Sequence, residues 1–221
     1  MQIITDLSPT KRKGRPSSTE SRNVFDSLLK AAEESLEEKD FREITVRELA
    51  ARANVNPAMI RYYFKTKEGL FSLLIDRVFS EWESSLKRLA REMKTTGDRP
   101  TRAVIQLVDQ CFYRHVPITR LIIEEMSEKD SAIRDYYIQH LAKHVFSSFF
   151  LFVKKATELG FYKRSQDLHF VSMSFAMMAI FPAMTDPVTF KSHWNFEIAE
   201  LRSEAWHTYL EKSLDGMLST E

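Results

Sequence analysis

The side chains in this 221-residue sequence best placed for chemistry are guanidinium forks and phenols gathered in two neighbouring stretches, Thr45–Ala53 and Asn56–Lys67. Arg47 and Arg61 each carry the planar donor pair that matches the two acceptors of a guanine edge, a contact worth about 1–3 kcal/mol of discrimination. Pro57, Ala58 and Met59 are small or apolar groups of the kind that press on thymine methyls. Thr45, Tyr62, Tyr63, Lys65 and Lys67 are hydroxyl and ammonium donors suited to phosphate oxygens, contacts that position a protein on a duplex without reading its sequence. Lys67 follows Thr66 at the start of a helix, where backbone N–H groups also favour an anion. We therefore expect base contacts from Arg47, Pro57, Ala58, Met59 and Arg61. Phosphate contacts are expected from Thr45, Tyr62, Tyr63, Lys65 and Lys67. Two simpler assignments stay open: Arg47 and Arg61 touch phosphates only, and one tyrosine ring packs beneath its own helix with its polar tip outward.

Other chemistry is sparse. Cys111 and His115, and His140 and His144, stand four residues apart, as two ligands on one helical face would, but no third ligand accompanies either pair. No metal and no cofactor are expected. There is no glycine-rich phosphate loop and no Cys/His pair with an orienting partner, so an enzyme is not expected. A basic run, Lys11, Arg12, Lys13 and Arg15, precedes the first periodic segment. Lys13-Gly14-Arg15-Pro16 is similar to the core of an AT-hook, which lays arginine in narrow A·T-rich minor grooves. The alternative is a solvated tail. The overall charge of +1 hides this run: residues 1–68 hold 13 Lys and Arg against 11 Asp and Glu, and the remainder 19 against 20.

These residues must be held by helices. Five glycines in the whole chain are too few for the tight turns of a β-rich fold. Residues 1–20 read as a flexible basic arm, and from Ser21 Phe25, Leu28, Leu29, Ala32 and Leu36 line one helical face ending near Lys39. Thr45-Val-Arg-Glu48 fits a capping box opening a second helix. Asn54 suits a left-handed turn, and Asn56-Pro57 caps and opens a third helix running to about Phe64, with Ile60 and Phe64 inward. Two short helices with a tight connection, the second presenting Arg and Tyr outward, read as a helix-turn-helix over 21–66.

The segments Ile44-Thr-Val-Arg-Glu-Leu-Ala-Ala-Arg-Ala-Asn-Val-Asn56 and Ile60-Arg-Tyr-Tyr-Phe-Lys-Thr-Lys-Glu-Gly-Leu70 resemble the DNA-binding domain of TetR-type transcriptional regulators. Asn54 stands where that family commonly has glycine, and Arg61 where it commonly has an aromatic residue. The resemblance implies an all-α protein, a homodimer on a palindromic DNA operator, and a six-helix effector-binding and dimerisation domain over 67–221.

The remaining pattern predicts a long helix from Lys67 to about Lys94, helices over 101–115 and after Pro117, and one capped by Asp130 that ends at Gly160. Two more are expected, from Ser165 to Phe181 and from Asn195 to Leu214, making nine in all. Phe and Met crowd this part. They suit either plain core or the walls of an adaptable cavity. The expected lining is Phe112, Arg114, His115, Met126, Phe149, Met177 and Phe181, around a small apolar or aromatic ligand; Glu125, Tyr136 and His169 are further polar candidates. Val171, Phe175, Met178, Ile198, Leu201, Ala205 and Tyr209 are the expected dimer interface. The most apolar window is too short for a bilayer span, and the single cysteine suits a reducing cytosol, so a cytoplasmic location is expected. The functional expectation is an effector-responsive repressor; the alternative is an architectural DNA-binding protein that takes no ligand.

Overall fold

The structure, a computed structural model, describes residues 18–96, 100–162, 167–181, 191, 197, 200 and 203–218. The basic arm lies outside them. The first helix, α1 (Ser18–Glu38), begins three residues before the expected Ser21 and buries Leu28, Leu29, Ala32 and Leu36 along one face. In α2 (Val46–Arg52) the capping box is complete: the Glu48 N–H donates to the Thr45 hydroxyl at 3.2 Å, and the Thr45 N–H donates to the Glu48 carboxylate at 2.9 Å. Hydrogen bonds from Lys39, then from Thr45, hold the Glu48 carboxyl down at about 2.

Asn54 takes the left-handed conformation, φ 54°, between α2 and α3 (Ala58–Phe64). The Asn56 side chain accepts the Ala58 N–H at 2.8 Å, while Pro57 already has helical dihedrals of −51° and −29°. After Phe64 the chain reverses through a γ-turn: Lys65 sits at φ 68°, ψ −52°, and the Thr66 N–H donates to the Phe64 carbonyl at 2.8 Å. A β-carbon on Gly69 would lie 2.2 Å from that same carbonyl oxygen, so glycine is required where the next helix begins.

That helix, α4 (Lys67–Thr96), is about 45 Å long at 1.5 Å per residue. Its first turns bury Leu70, Phe71 and Leu74 against α1 and α3, and its later turns bury Val78, Trp82 and Leu86 against the C-terminal helices. It is the spine shared by both halves. A second helix, α5 (Thr101–Val108), runs directly into a π-helical turn, Asp109–Tyr113. Pro117 lies in the first turn of α6 (Val116–Met126).

The expected helix capped by Asp130 is a continuous rod of three parts: α7 (Ala132–Tyr136), a π-helical turn Tyr137–Ala142, and α8 (Lys143–Glu158). Its cap is Ser131 rather than Asp130; the Ser131 hydroxyl accepts the Arg134 N–H at 3.1 Å. Gly160 closes the rod at φ 84°, as expected of a glycine past a helix end. In α9 (Leu168–Ile180) the cap is Asp167, which accepts the His169 N–H at 2.8 Å; Ser165 lies outside the described residues. The last described helix, α10 (Glu204–Leu218), is anchored to α5 where Thr101 donates to Asp215 at 2.7 Å and Arg102 to Glu211 at 2.8 Å. Its expected beginning, Asn195, falls outside the described residues. Counting the α7–α8 rod once, the described residues form nine helices. None of the described helices is long and apolar enough to cross a membrane.

Candidate nucleic-acid interface and internal cavity

The exposed face of α2 and α3 is distinguished by cations without partners. Lys39 pairs with Glu48, Arg42 with Glu125 and Glu128, and Arg52 with Glu38. Arg47, Arg61 and Lys65 are exposed and make no ion pair among the described residues. Pro57 and Ala58 are exposed beside them and Met59 is half-buried. Tyr62 is 59% exposed, whereas the Tyr63 ring lies edge-on against Phe25 at 6.0 Å, so the ring that packs beneath the helix is Tyr63.

Two expected phosphate donors make hydrogen bonds within the protein. The Lys67 ammonium donates to the Phe41 carbonyl at 2.8 Å and the Ile44 carbonyl at 3.0 Å, and stands 4.1 Å over the Phe41 ring. It fastens the α1–α2 connection to the start of α4 rather than facing outward as a phosphate group would. The Thr45 hydroxyl likewise donates to Glu48 at 2.8 Å within the capping box. Periodicity could not reveal the role of Lys67, because its acceptors lie 26 and 23 residues away in sequence.

A cavity of about 480 Å³ opens between α4, α6, the α7–α8 rod and α9. Phe112, Met126 and Met177 stand on its wall, with Val78, Phe79, Ile118, Ile122, Ile123, Phe146, Ala176 and Ile180. Four expected lining residues do not. Phe149 is fully buried in the core between Trp82 and Phe175. Arg114 borders a separate open groove with Asp26, Asp76 and Cys111. His115 turns to α1, its Nδ1 2.8 Å from the Glu33 carboxylate, and Phe181 lies exposed at the end of α9. Of the other polar candidates, Glu125 is buried and accepts from Arg42 at 3.3 Å, Tyr136 donates to Asp76, and His169 stacks on Phe150.

Both π-helical turns reach the cavity: the first supplies Phe112, and the second supplies Tyr137 and Ala142. Such turns add a residue to a helical revolution and re-aim the side chains around it. Tyr137 therefore escaped a reading based on a 3.6-residue period. Cys111 is buried, and burial raises its thiol to about 11. No cluster of three or more His, Cys, Asp or Glu side chains among the described residues can hold a metal.

Of the expected interface residues, Phe175 is fully buried and belongs to the core. Val171 and Met178 are half-buried, Ala205 and Tyr209 are exposed, and Ile198 and Leu201 lie outside the described residues. Phe170, Met173 and Met177 on α9, and Phe181 just beyond it, are exposed.

Residues 28–74 match the family described as bacterial regulatory proteins, tetR family. The chain is 29% identical over 121 residues to the probable HTH-type transcriptional regulator YttP of Bacillus subtilis, covering 53% of this chain and 58% of that one. It is 31% identical over 111 residues to the HTH-type transcriptional regulator EthR of Mycobacterium tuberculosis, covering 50% of each. The match thus spans about half the length of these curated relatives. Among solved structures, Salmonella enterica GusR superposes with a TM-score of 0.65 at 15% identity, over 89% of this chain and 96% of that one. The transcriptional regulator FadR from Bacillus subtilis, in complex with stearoyl-CoA, superposes at 0.64 and 14% identity, over 87% and 98%. At such identities the superpositions establish the shared helical fold. The match over 28–74, on a helix-turn-helix where Arg47, Arg61 and Lys65 make no ion pair among the described residues, identifies that segment as a DNA-binding domain of the tetR family.

Proposed function

We propose that this chain is a cytoplasmic repressor that binds a palindromic operator as a homodimer and is released from it by a small apolar or aromatic effector. The observation that carries this reading is the position of α6. One side of it walls the cavity through Ile118, Thr119, Ile122, Ile123 and Met126. Its other side is tied to the DNA-binding helices: Arg42 reaches Glu125 at 3.3 Å and Glu128, just beyond α6, at 3.1 Å, and His115 at the head of α6 meets Glu33 of α1 at 2.8 Å. A ligand that prefers one placement of α6 would bias the DNA-binding helices by its differential affinity for the two states. The cavity counts against the ligand-independent alternative.

Arg47 and Arg61 are the proposed base readers, with Pro57, Ala58 and Met59 against thymine methyls and Tyr62 and Lys65 on phosphates. Lys11, Arg12, Lys13 and Arg15 would add minor-groove contacts. The charge-free α9, with Phe170, Met173 and Phe181 exposed and Tyr209 of α10 nearby in the fold, supports a second copy docking there. Selection from a random duplex pool tests the reading: it should return a palindrome, bound by a dimer in sedimentation. Arg47→Ala and Arg61→Ala should each relax specificity in a half-site by about 1–3 kcal/mol. Recovery of no preferred sequence, or binding by a monomer, would refute it.

A further inference from the structure

Among the described residues, the cavity wall carries no charge: none of those lining it is Asp, Glu, Lys, Arg or His, in a chain where such charged residues (His apart) make up 29% of positions. The polar side chains among the described lining residues are three hydroxyls. Thr119 directs its hydroxyl to the Phe112 and His115 carbonyls at 3.4 and 3.3 Å. Ser127 is exposed beside Met126. Tyr137 is the one titratable side chain among the described residues of the wall. Its ring packs against Phe79, and its hydroxyl donates to no described residue. Burial raises that phenol's pKa, so it stays protonated and a donor through the neutral range. The two π-helical turns among the described residues both converge on this one cavity, and such turns occur frequently at functional sites.

We propose that the cavity takes an uncharged, largely apolar molecule bearing one hydrogen-bond acceptor, which the Tyr137 hydroxyl holds. This deepens the effector reading and rests on it. The physical ground is desolvation. An ionised carboxylate brought against this wall would find no counter-charge among the described residues, and a buried unpaired charge neutralises by shifting its pKa instead of remaining ionised. An acid would therefore enter only as its scarce protonated form. An alcohol, ketone or ester needs no such step.

The test uses 1-decanol and decanoic acid as probes on the full chain, with calorimetric titration and melting shifts across about pH 6 to 8. Decanol should bind with an affinity independent of pH. Decanoate should bind at least about a hundredfold more weakly at the upper end, gaining about tenfold for each pH unit of acidification, since its neutral fraction grows by that factor. Tyr137→Phe should melt like the wild type and weaken decanol about fivefold, the loss of one hydrogen bond. Ile123→Trp, which puts a bulky ring on the cavity wall, should weaken decanol binding by more than Tyr137→Phe does. Decanoate binding as tightly as decanol with a flat pH profile overturns the ligand class, and if it also releases the operator the effector reading survives. Unchanged decanol affinity in Tyr137→Phe overturns the anchoring role, and in Ile123→Trp it overturns the site. Failure of both probes to bind, with no operator release, sinks the inference and the effector reading together.

Discussion

Lys67 offers a sharp separation between a structural and a DNA-contacting cation. Substituting Lys67→Met keeps most of the aliphatic stem and removes the ammonium. Two charge-assisted hydrogen bonds, to the Phe41 and Ile44 carbonyls at 2.8 and 3.0 Å, would be lost. Each such bond contributes about 1.5–3 kcal/mol. The ammonium's contact with the Phe41 ring at 4.1 Å adds about 0.5–1 kcal/mol. Burial lowers the Lys67 pKa, so desolvation offsets part of this gain. The net expectation is a loss of about 2–4 kcal/mol, read as a lowered urea midpoint at constant slope. Operator affinity measured against salt concentration gives the second readout. A phosphate contact contributes about 0.9 to the slope of log K against log salt, so a structural lysine should leave that slope unchanged. If Lys67→Met instead lowers the slope by about 0.9 and costs under about 0.5 kcal/mol of stability, the assignment of Lys67 to the fold is wrong.

Two further outcomes are expected. Gly69→Ala would place a β-carbon 2.2 Å from the Phe64 carbonyl oxygen, which is backbone and held by the γ-turn, so a loss of about 1–3 kcal/mol in urea unfolding should follow; an unchanged midpoint would show that the α3–α4 junction yields freely. Glu48 is held down at about 2 from a usual 4.5, so its contribution to stability is present above the usual value and is lost as pH falls through about 2. The difference in melting temperature between the wild type and Glu48→Gln should accordingly shrink over that interval, and a gap that widens on acidification would contradict the capping-box account.

The DNA-binding half was largely legible in the sequence because its signals are local. A capping box spans four residues, Asn54 answers to its own backbone dihedral, and Asn56-Pro57 sets the start of α3 by contacts within two residues. Helix existence in the C-terminal half was legible for the same reason, from the 3.6-residue period and from Gly160. Cap positions slipped by a residue or two, from Asp130 to Ser131, where two adjacent polar residues offered the same chemistry.

What a side chain faces was decided by tertiary structure. Phe112, Phe149 and Phe175 are the same residue type on apolar helical faces, yet the first walls the cavity and the other two pack against each other in the core. The difference depends on where α4 and α9 cross the α7–α8 rod, and on two π-helical turns that shift the facing of every residue around them. His115 and Lys67 likewise found partners far along the chain, in Glu33, Phe41 and Ile44. By itself the sequence determined a helix-turn-helix and its caps, because hydrogen bonding within a turn is a short-range property. The cavity and its link to α1 through α6 exist only once distant helices pack, because burial and charge pairing are properties of neighbours in space.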